Sequence, residues 1–350
     1  MSDKVLMKGN EAIAEAAVRG GCRFFFGYPI TPQNEIPEYL SWRLPEVGGT
    51  FIQAESEVSA INMVYGAASA GARAMTSTSS PGMSLKQEGI SYIACAELPC
   101  VLINQVRGGP GLGTIYPGQA DYFQAVKGGG HGDYKLLVYT PASVQEAVDI
   151  AYKAFDVADR YRIPVMILGD GTLAQMMEPV ELPQMKDPAT FPKKEWATTG
   201  CEGRPRNLIN TLEMNPDKLE RITDRLFETF EKIRENEVMY EEYMCGDAEI
   251  VFVAFGIVSR VAKSAVNELR AAGIKAGLFR PITVSPYPDK ALGKLADGKV
   301  KKFIVAELNK GQMLEDVKLV VNGRKPVEFL GRTGGNFMTS ADLAALAKRG

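Results

Sequence analysis

Up to Leu168 the chain alternates short apolar or β-prone runs with stretches of helical periodicity, and that alternation leaves few architectures open. The runs are Cys22–Phe26, Thr50–Gln53, Ala74–Ser79, Cys100–Asn104, Leu136–Tyr139 and Ile163–Leu168. Between them, Asn10–Arg19 repeats alanine and isoleucine at helical spacing and stops at Gly20-Gly21, where a helix C-cap belongs. Pro32 and Glu35 suit the first turn of a second helix. Glu57–Ala70 is a small-residue helix closed by Gly71, and Ser143–Tyr161 opens with a serine and Glu146 three residues on, the pattern of a capping box. Strand and helix in alternation predict an α/β fold around a mostly parallel sheet.

The texture changes between Gly169 and Cys245. Prolines at 179, 183, 188, 192 and 205 mark an extended connection, and Asn215-Pro216 caps a long helix with Leu219, Ile222, Leu226, Phe230 and Ile233 along one face. Its other face is heavily charged, which places it on a surface. A second alternating unit begins at Glu249–Gly256, continues through helix Val258–Ala272 and strand Ile274–Phe279, and adds strands at Lys301–Ala306 and Val327–Leu330. The expected division is 1–180, a linker at 181–245, and 246–350.

In open parallel sheets, ligands bind outside the carboxyl ends of the strands. Three segments sit there: Gly27-Tyr28-Pro29-Ile30-Thr31-Pro32, Ala54-Glu55-Ser56-Glu57, and Asn104-Gln105-Val106-Arg107-Gly108-Gly109. They nominate a hydroxyl (Thr31), a carboxylate (Glu57) and a guanidinium (Arg107), the last suited to bidentate binding of a carboxylate. Each also has a plain structural reading: turn chemistry for Thr31, a helix-capping acid for Glu57, a solvated loop arginine for Arg107. Arg107-Gly108-Gly109-Pro110-Gly111-Leu112-Gly113 can cradle phosphate on backbone N–H groups, but it lacks the lysine and spacing of a P-loop.

Composition removes several classes. A net charge of −2 over 350 residues argues against nucleic acid or an anionic membrane surface as partner. No apolar run approaches the roughly 18 residues of a membrane span, and the first residues lack the apolar core of a signal peptide, so the chain reads as cytoplasmic. The cysteines at 22, 95, 100, 201 and 245 form no CxxC pair, which argues against zinc or an iron–sulfur cluster held by this chain alone. The single histidine, His131, has no G-x-S-x-G elbow to serve. Gly169-Asp170-Gly171-Thr172-Leu173-Ala174 fits a dinucleotide fingerprint after a strand, but Pro179 arrives too soon for a crossover helix. It also matches the start of the thiamine diphosphate G-D-G motif, yet no asparagine occurs between Asp170 and Asn207. It reads as a tight turn leaving a strand.

Taken in order, Met7-Lys8-Gly9-Asn10-Glu11-Ala12, Gly27–Pro32, Glu55-Ser56-Glu57, Thr78-Ser79-Ser80-Pro81-Gly82 and Val106-Arg107-Gly108-Gly109-Pro110 resemble the α subunits of the 2-oxoacid:ferredoxin oxidoreductases. Phe279-Arg280-Pro281-Ile282 and Glu307-Leu308-Asn309-Lys310-Gly311-Gln312 extend the resemblance over nearly the whole chain. It implies a pyrimidine-binding module of the thiamine-diphosphate fold at 1–180 and a transketolase C-terminal-like domain at 246–350. Glu57 matches the glutamate that hydrogen-bonds N1′ of the thiamine aminopyrimidine, with Glu55 the nearby alternative; that role requires a desolvated carboxyl. Thr31 and Arg107 match positions that bind the 2-oxoacid. Pro29, Ile30, Ser79, Ser80 and Gly82 are expected to line the pyrimidine pocket with Glu57.

The same resemblance implies that a β subunit holds the diphosphate and Mg²⁺, and that iron–sulfur clusters sit only in partner subunits. The clusters would lie in β and in a small ferredoxin-like subunit, and a γ subunit completes the implied partners. CoA is the implied co-substrate and ferredoxin the external acceptor, with α–α contact in a dimer of protomers. Length and compactness look most like the branched-chain subclass, acting on 3-methyl-2-oxobutanoate; the 2-oxoglutarate enzyme is the alternative, followed by the indolepyruvate enzyme. Two readings of other classes stand against these. A non-catalytic assembly subunit has no use for Thr31, Glu57 and Arg107, and a free-standing Rossmann oxidoreductase predicts NADH binding by the isolated chain.

Overall fold

The computed structural model describes residues 4–349. In chain order, the first part runs β1 (Val5–Lys8), α1 (Gly9–Arg19), β2 (Phe24–Gly27), α2 (Glu35–Glu46), β3 (Thr50–Gln53), α3 (Glu57–Ser69), β4 (Ala74–Thr78) and α4 (Ser80–Cys95). It continues with β5 (Cys100–Val106), α5 (Tyr122–Val126), β6 (Leu137–Tyr139), α6 (Val144–Tyr161), β7 (Pro164–Asp170), α7 (Gly171–Gln175) and β8 (Met177–Val180). After a 3₁₀ turn at Pro188–Thr190 come α8 (Pro216–Asn236), β9 (Tyr240–Tyr243), β10 (Ile250–Val253), α9 (Gly256–Ala271), β11 (Ala276–Pro281) and β12 (Thr283–Ser285). The chain ends with α10 (Asp289–Asp297), β13 (Lys302–Glu307), α11 (Gln312–Val321), β14 (Val327–Gly331) and α12 (Ser340–Ala347).

A seven-stranded sheet in the order β12-β6-β7-β5-β4-β2-β3 forms the first layer structure, and every pairing in it is parallel except β12 with β6. Strand periodicity sends alternate side chains to opposite faces. Val101 and Ile103 of β5, with Val165 and Ile167 of β7, join the core under α1, α2 and α6. Leu102 and Val106, with Met166 and Leu168, join the core under α3 and α4. Because both faces are covered, the strands read as apolar runs and not as alternation, which is the α/β signature the sequence carried.

A second sheet has the order β14-β13-β10-β11-β9, parallel but for the antiparallel β9 edge. α9 and α12 pack on one face, and α10 and α11 on the other. β12, which the sequence reading left unassigned, leaves this unit and pairs with β6 of the first sheet. Ser285 Oγ donates to Leu136 O at 2.7 Å and the Thr140 N–H to Ile282 O at 2.7 Å, fixing the crossing.

Two local expectations change, and a third, the surface position of α8, holds. Ser80-Pro81-Gly82 does not merely break β4; it opens α4, with Pro81 in the first turn, where its missing N–H costs nothing. At Ser143 the capping box is half made: Ser143 Oγ accepts from Glu146 N at 3.2 Å. The Glu146 carboxylate instead accepts from Ala142 N and takes both ends of the Arg280 guanidinium, at 2.8 and 2.9 Å, from the second unit. Along α8 only Ile233 is buried; Leu219 and Phe227 are exposed.

Candidate active site

β7, β5, β4, β2 and β3 are consecutive in the sheet, so their carboxyl ends bring Asp170, Arg107, Ser79, the Tyr28–Thr31 turn and Glu57 to one edge. Glu57 is the first residue of α3. Capping falls to Ser56, whose Oγ accepts from Ser59 N at 3.2 Å, so the helix does not need Glu57 as its cap. Glu57 is 6% exposed, and its carboxylate makes no hydrogen bond among the described residues. It lies against Gly82 of α4, where a Cβ would stand 2.6 Å from Glu57 Oε1 and 2.1 Å from Thr78 Oγ1. Only glycine permits that approach. Glu55, the alternative carboxylate, is exposed and accepts from Ser59 Oγ at 2.6 Å.

Beside Glu57, the Thr78 and Ser79 hydroxyls are buried with no hydrogen-bond partner. Buried polar atoms are almost always satisfied, so two together mark a place left for a ligand. Ser80 is occupied otherwise: its Oγ accepts from the Arg107 N–H at 3.1 Å, and its own N–H donates to Asn104 Oδ1 at 3.0 Å. Asn104 Nδ2 in turn donates to Asp121 at 2.9 Å, and burial pushes the Asp121 carboxyl above the usual range. These bonds lock the end of β4 to the end of β5.

Arg107 is buried, and its Nη1 and Nη2 donate to Thr31 O at 2.9 Å and Leu112 O at 2.8 Å. Its Nε–H is buried without a partner. Thr31 and Arg107 therefore meet directly, through the threonine carbonyl. Thr31 lines a cleft of about 360 Å³ with Pro32, Asn34, Glu35, Ile115, Tyr116 and Gln175, and its Oγ1 accepts from Asn34 Nδ2 at 3.5 Å. Pro29 is exposed and Ile30 half-buried on the same turn. The loop that follows Arg107 curls back, with the Thr114 N–H on Gly108 O at 2.8 Å, and presents Leu112, Ile115 and Tyr116 outward.

Several buried polar residues have roles that the sequence did not display, and one of them, Lys86, it did not single out at all. Asn10 Nδ2 donates to Pro32 O and to Glu35, both at 2.7 Å, and its Oδ1 accepts from Gln105, which accounts for the Met7–Ala12 motif as the brace of the Thr31 turn. Lys86 of α4 is wholly buried, donating to Thr76 Oγ1 at 2.9 Å. Asn309 and Gln312 serve the contact between the two units, and Glu307 supports them from within the second. Asn309 Nδ2 donates to Gln119 O at 2.8 Å and Gln312 Nε2 to Ala120 O at 2.7 Å. Glu307 receives the N–H groups of Met313 and Leu314 and the Asn309 amide. Asp170 caps α7 with Oδ1 accepting from Thr172 N and Leu173 N, so that turn is structural, and burial pushes its carboxyl up to about 6.

Residues 15–243 match the family model described as pyruvate flavodoxin/ferredoxin oxidoreductase, thiamine diphosphate-binding. Residues 248–343 match the pyruvate:ferredoxin oxidoreductase core domain II. The ketoisovalerate oxidoreductase subunit VorB of Methanothermobacter marburgensis is 51% identical over 97% of this chain and 95% of its own length. The 2-oxoglutarate synthase subunit KorA of Methanocaldococcus jannaschii is 37% identical over 96% of this chain and 97% of its own. Among solved structures, the 2-oxoglutarate:ferredoxin oxidoreductase of Magnetococcus marinus, with 2-oxoglutarate, coenzyme A and succinyl-CoA bound, superposes with a TM-score of 0.87 at 27% identity. The match covers 99% of this chain and 65% of that one. A split-gene transketolase shares the fold alone, at 15% identity and a TM-score of 0.61. The chain belongs to the 2-oxoacid:ferredoxin oxidoreductases, as a subunit that carries their thiamine-diphosphate-binding domain.

Proposed function

We propose that this chain is the α subunit of an enzyme that oxidatively decarboxylates a branched-chain 2-oxoacid, 3-methyl-2-oxobutanoate, with CoA as acyl acceptor and ferredoxin as electron acceptor. The observation that carries the proposal is Glu57, a buried carboxylate with no hydrogen bond from the described residues, set beside two orphaned hydroxyls. That pocket fits an aminopyrimidine: an acceptor for its ring nitrogen at Glu57, free hydroxyls at Thr78 and Ser79, and the close approach allowed by Gly82. Thiamine diphosphate, bound there, supplies the nucleophilic carbon that adds to a 2-oxoacid carbonyl. Glu57 holds or releases the proton at the pyrimidine nitrogen, and burial keeps water from competing for it. Arg107 has five N–H donors; two are spent on Thr31 O and Leu112 O, and Nε–H is among those left for the substrate carboxylate. The Thr31 hydroxyl, on the turn that Arg107 holds, donates to the carboxylate or to oxyanion charge as it develops.

The cleft beside Thr31 favours an apolar side chain. Pro32, Ile115, Tyr116 and Pro117 form its apolar walls, Thr31, Asn34 and Gln175 add neutral polar groups, and its one charged lining residue among those described is Glu35. Lys8, nearby, is already paired with Glu35 at 3.4 Å. A second substrate carboxylate, as in 2-oxoglutarate, would meet the Glu35 carboxylate there and no free cation among the described residues. The 51% identity to a ketoisovalerate oxidoreductase subunit supports the same choice.

On this reading 1–180 is the pyrimidine-binding module, 181–245 a linker, and 246–350 a transketolase C-terminal-like domain. The diphosphate and Mg²⁺ belong to a β subunit, the iron–sulfur clusters to β and a small ferredoxin-like subunit, with γ completing the assembly and α paired with α. Tyr28, Ile52, Val58, Leu85 and Leu112, all exposed apolar residues on the elements that form the site, support a partner closing over it. The test is CoA-dependent viologen reduction by the native complex, under anaerobic conditions, across a panel of 2-oxoacids. Highest activity with branched-chain acids is expected. Preference for 2-oxoglutarate would move the substrate, and no turnover by a complex holding its cofactors would refute the function.

A further inference from the structure

A lysine without any assigned task stands in the α3–α4 interface. Lys86 is 0% exposed, and its Nζ makes one hydrogen bond among the described residues, to Thr76 Oγ1. An ammonium has three N–H groups to satisfy, and lysine is almost never buried unless paired. The face that α4 turns to α3 carries Gly82, Lys86 and Gly89. A Cβ at Gly82 would stand 2.6 Å from Glu57 Oε1, and one at Gly89 2.6 Å from Ile61 Cγ2. Lys86 lies between these two contacts, about one helical turn from each.

The surroundings leave one charged neighbour on the α3 side. β4 presents Thr76 and Thr78, the latter with an orphaned hydroxyl. β5 presents Leu102 and Asn104, and Asp121 stands behind Asn104 at the Ser80 end of α4. β7 presents Met166 and Leu168. Glu57 is the charged group within Coulombic reach: burial pushes the Lys86 ammonium down to about 7, and Glu57 opposes that push.

We propose that Lys86 is a positioning residue for Glu57, its buried counter-charge when the carboxylate is bare and a neutral amine when the carboxyl is protonated. The inference rests on the reading of Glu57 given above. A glutamate that changes charge in a buried site leaves an uncompensated ion in one half of its cycle. A lysine poised near neutrality compensates that half and, by releasing its proton to water, leaves no stray cation in the other. An apolar side chain of similar length would fill the same space at less cost to stability, so the amine is retained at a price in stability that packing does not require.

The test has two arms. In the full chain with ¹³Cε-labelled lysine, the Lys86 signal is assigned by its absence from Lys86→Met and its midpoint is followed in wild type and Glu57→Gln. Removing the carboxylate should lower the midpoint by about one unit or more, the range for an opposite charge within about 4–6 Å. An unchanged midpoint would overturn the proposal. In the native complex, Lys86→Met should shift the pH profile of oxoacid-dependent viologen reduction while KM for the oxoacid stays the same, and Lys86→Arg should restore only the limb on which the cation is required. A Lys86→Met complex, folded as wild type by circular dichroism, with a superimposable pH profile would also overturn it. The first arm uses no oxoacid, so a shifted midpoint in a complex that turns over no oxoacid upholds the pair and brings down the proposed function alone.

Discussion

Two buried glutamates, each tied to the start of a helix at the carboxyl edge of a parallel sheet, have opposite fates in this molecule. Glu307, at the end of β13, receives the N–H groups of Met313 and Leu314 at 2.8 and 3.0 Å and the Asn309 amide at 2.8 Å. Glu57, at the start of α3, receives nothing from the described residues, and the Thr78 and Ser79 hydroxyls beside it are equally idle. Burial alone would class both as functional candidates, and burial does push Glu307 up to about 7. What separates them is where the hydrogen bonds go. Glu307 is spent on capping α11, while the neighbouring Asn309 and Gln312 hold the second unit to the Gln119–Phe123 segment. Glu57 is held ready, and readiness in a buried place is what a ligand site requires.

The comparison breaks most visibly by exchange of the carboxylates. Glu57→Gln should lower turnover of the native complex by about 100-fold or more, the usual share of a general acid–base group, with the complex still assembling on a sizing column. Its thermal midpoint at pH 9, where the Lys86 amine is already neutral, should hardly move, because Glu57 accepts no hydrogen bond from the described residues. Glu307→Gln should do the reverse. Its amide would set an N–H₂ donor against the N–H of Met313 or Leu314, costing about 1–3 kcal/mol of stability, read as a lower urea midpoint. Turnover per folded molecule should stay near wild type.

Gly82→Ala sharpens the same contrast by geometry. The added methyl would collide with Glu57 and Thr78, so activity should fall with Glu57 still present and stability should drop by about 1–3 kcal/mol from overpacking. Gly293→Ala is the control, since a Cβ there meets nothing closer than 3.9 Å; its activity should be unchanged.

The effect confined to one pH range is a pH dependence of stability. Lys86 is depressed in the fold from 10.5 to about 7, so between those values the unfolded chain binds more protons and stability rises with pH. Below about pH 7 the full cost of the buried ammonium is present. Lys86→Met should therefore stabilise the chain most at pH 6, by about 2 kcal/mol once the stranded Thr76 hydroxyl is allowed for, and the gain should shrink toward pH 10. A gain that grows with pH would contradict the burial of the charge.

Much of this was legible in the residues. Thr31, Glu57 and Arg107 each follow a strand-like run, and strand ends in parallel sheets are where sites form. What the residues could not display was how their hydrogen bonds are distributed. Ser143-x-x-Glu146 satisfies the capping-box pattern, yet Arg280, far along the chain, takes the glutamate. Ser80-Pro81-Gly82 looks like a stop because proline and glycine break helix interiors, but at a first turn they do not, so α4 and Lys86 with it went unread. β12 is three residues long, too short for periodicity to register, and its pairing with β6 is a matter of tertiary contact. Ser80, expected in the pyrimidine pocket, has its hydroxyl on the backbone of Arg107, a bond between segments that no local pattern encodes.

The most direct measurement is the rate at which deuterium from solvent replaces the C2 proton of thiamine bound to the assembled complex, followed by acid quench and NMR. It needs neither oxoacid nor electron acceptor, so it isolates what Glu57 does. Fast exchange in wild type and in Glu307→Gln, with exchange slowed by about 100-fold or more in Glu57→Gln, is the expected result. Equal rates in wild type and Glu57→Gln would contradict the account, because the unpartnered carboxylate would then have no part in the chemistry.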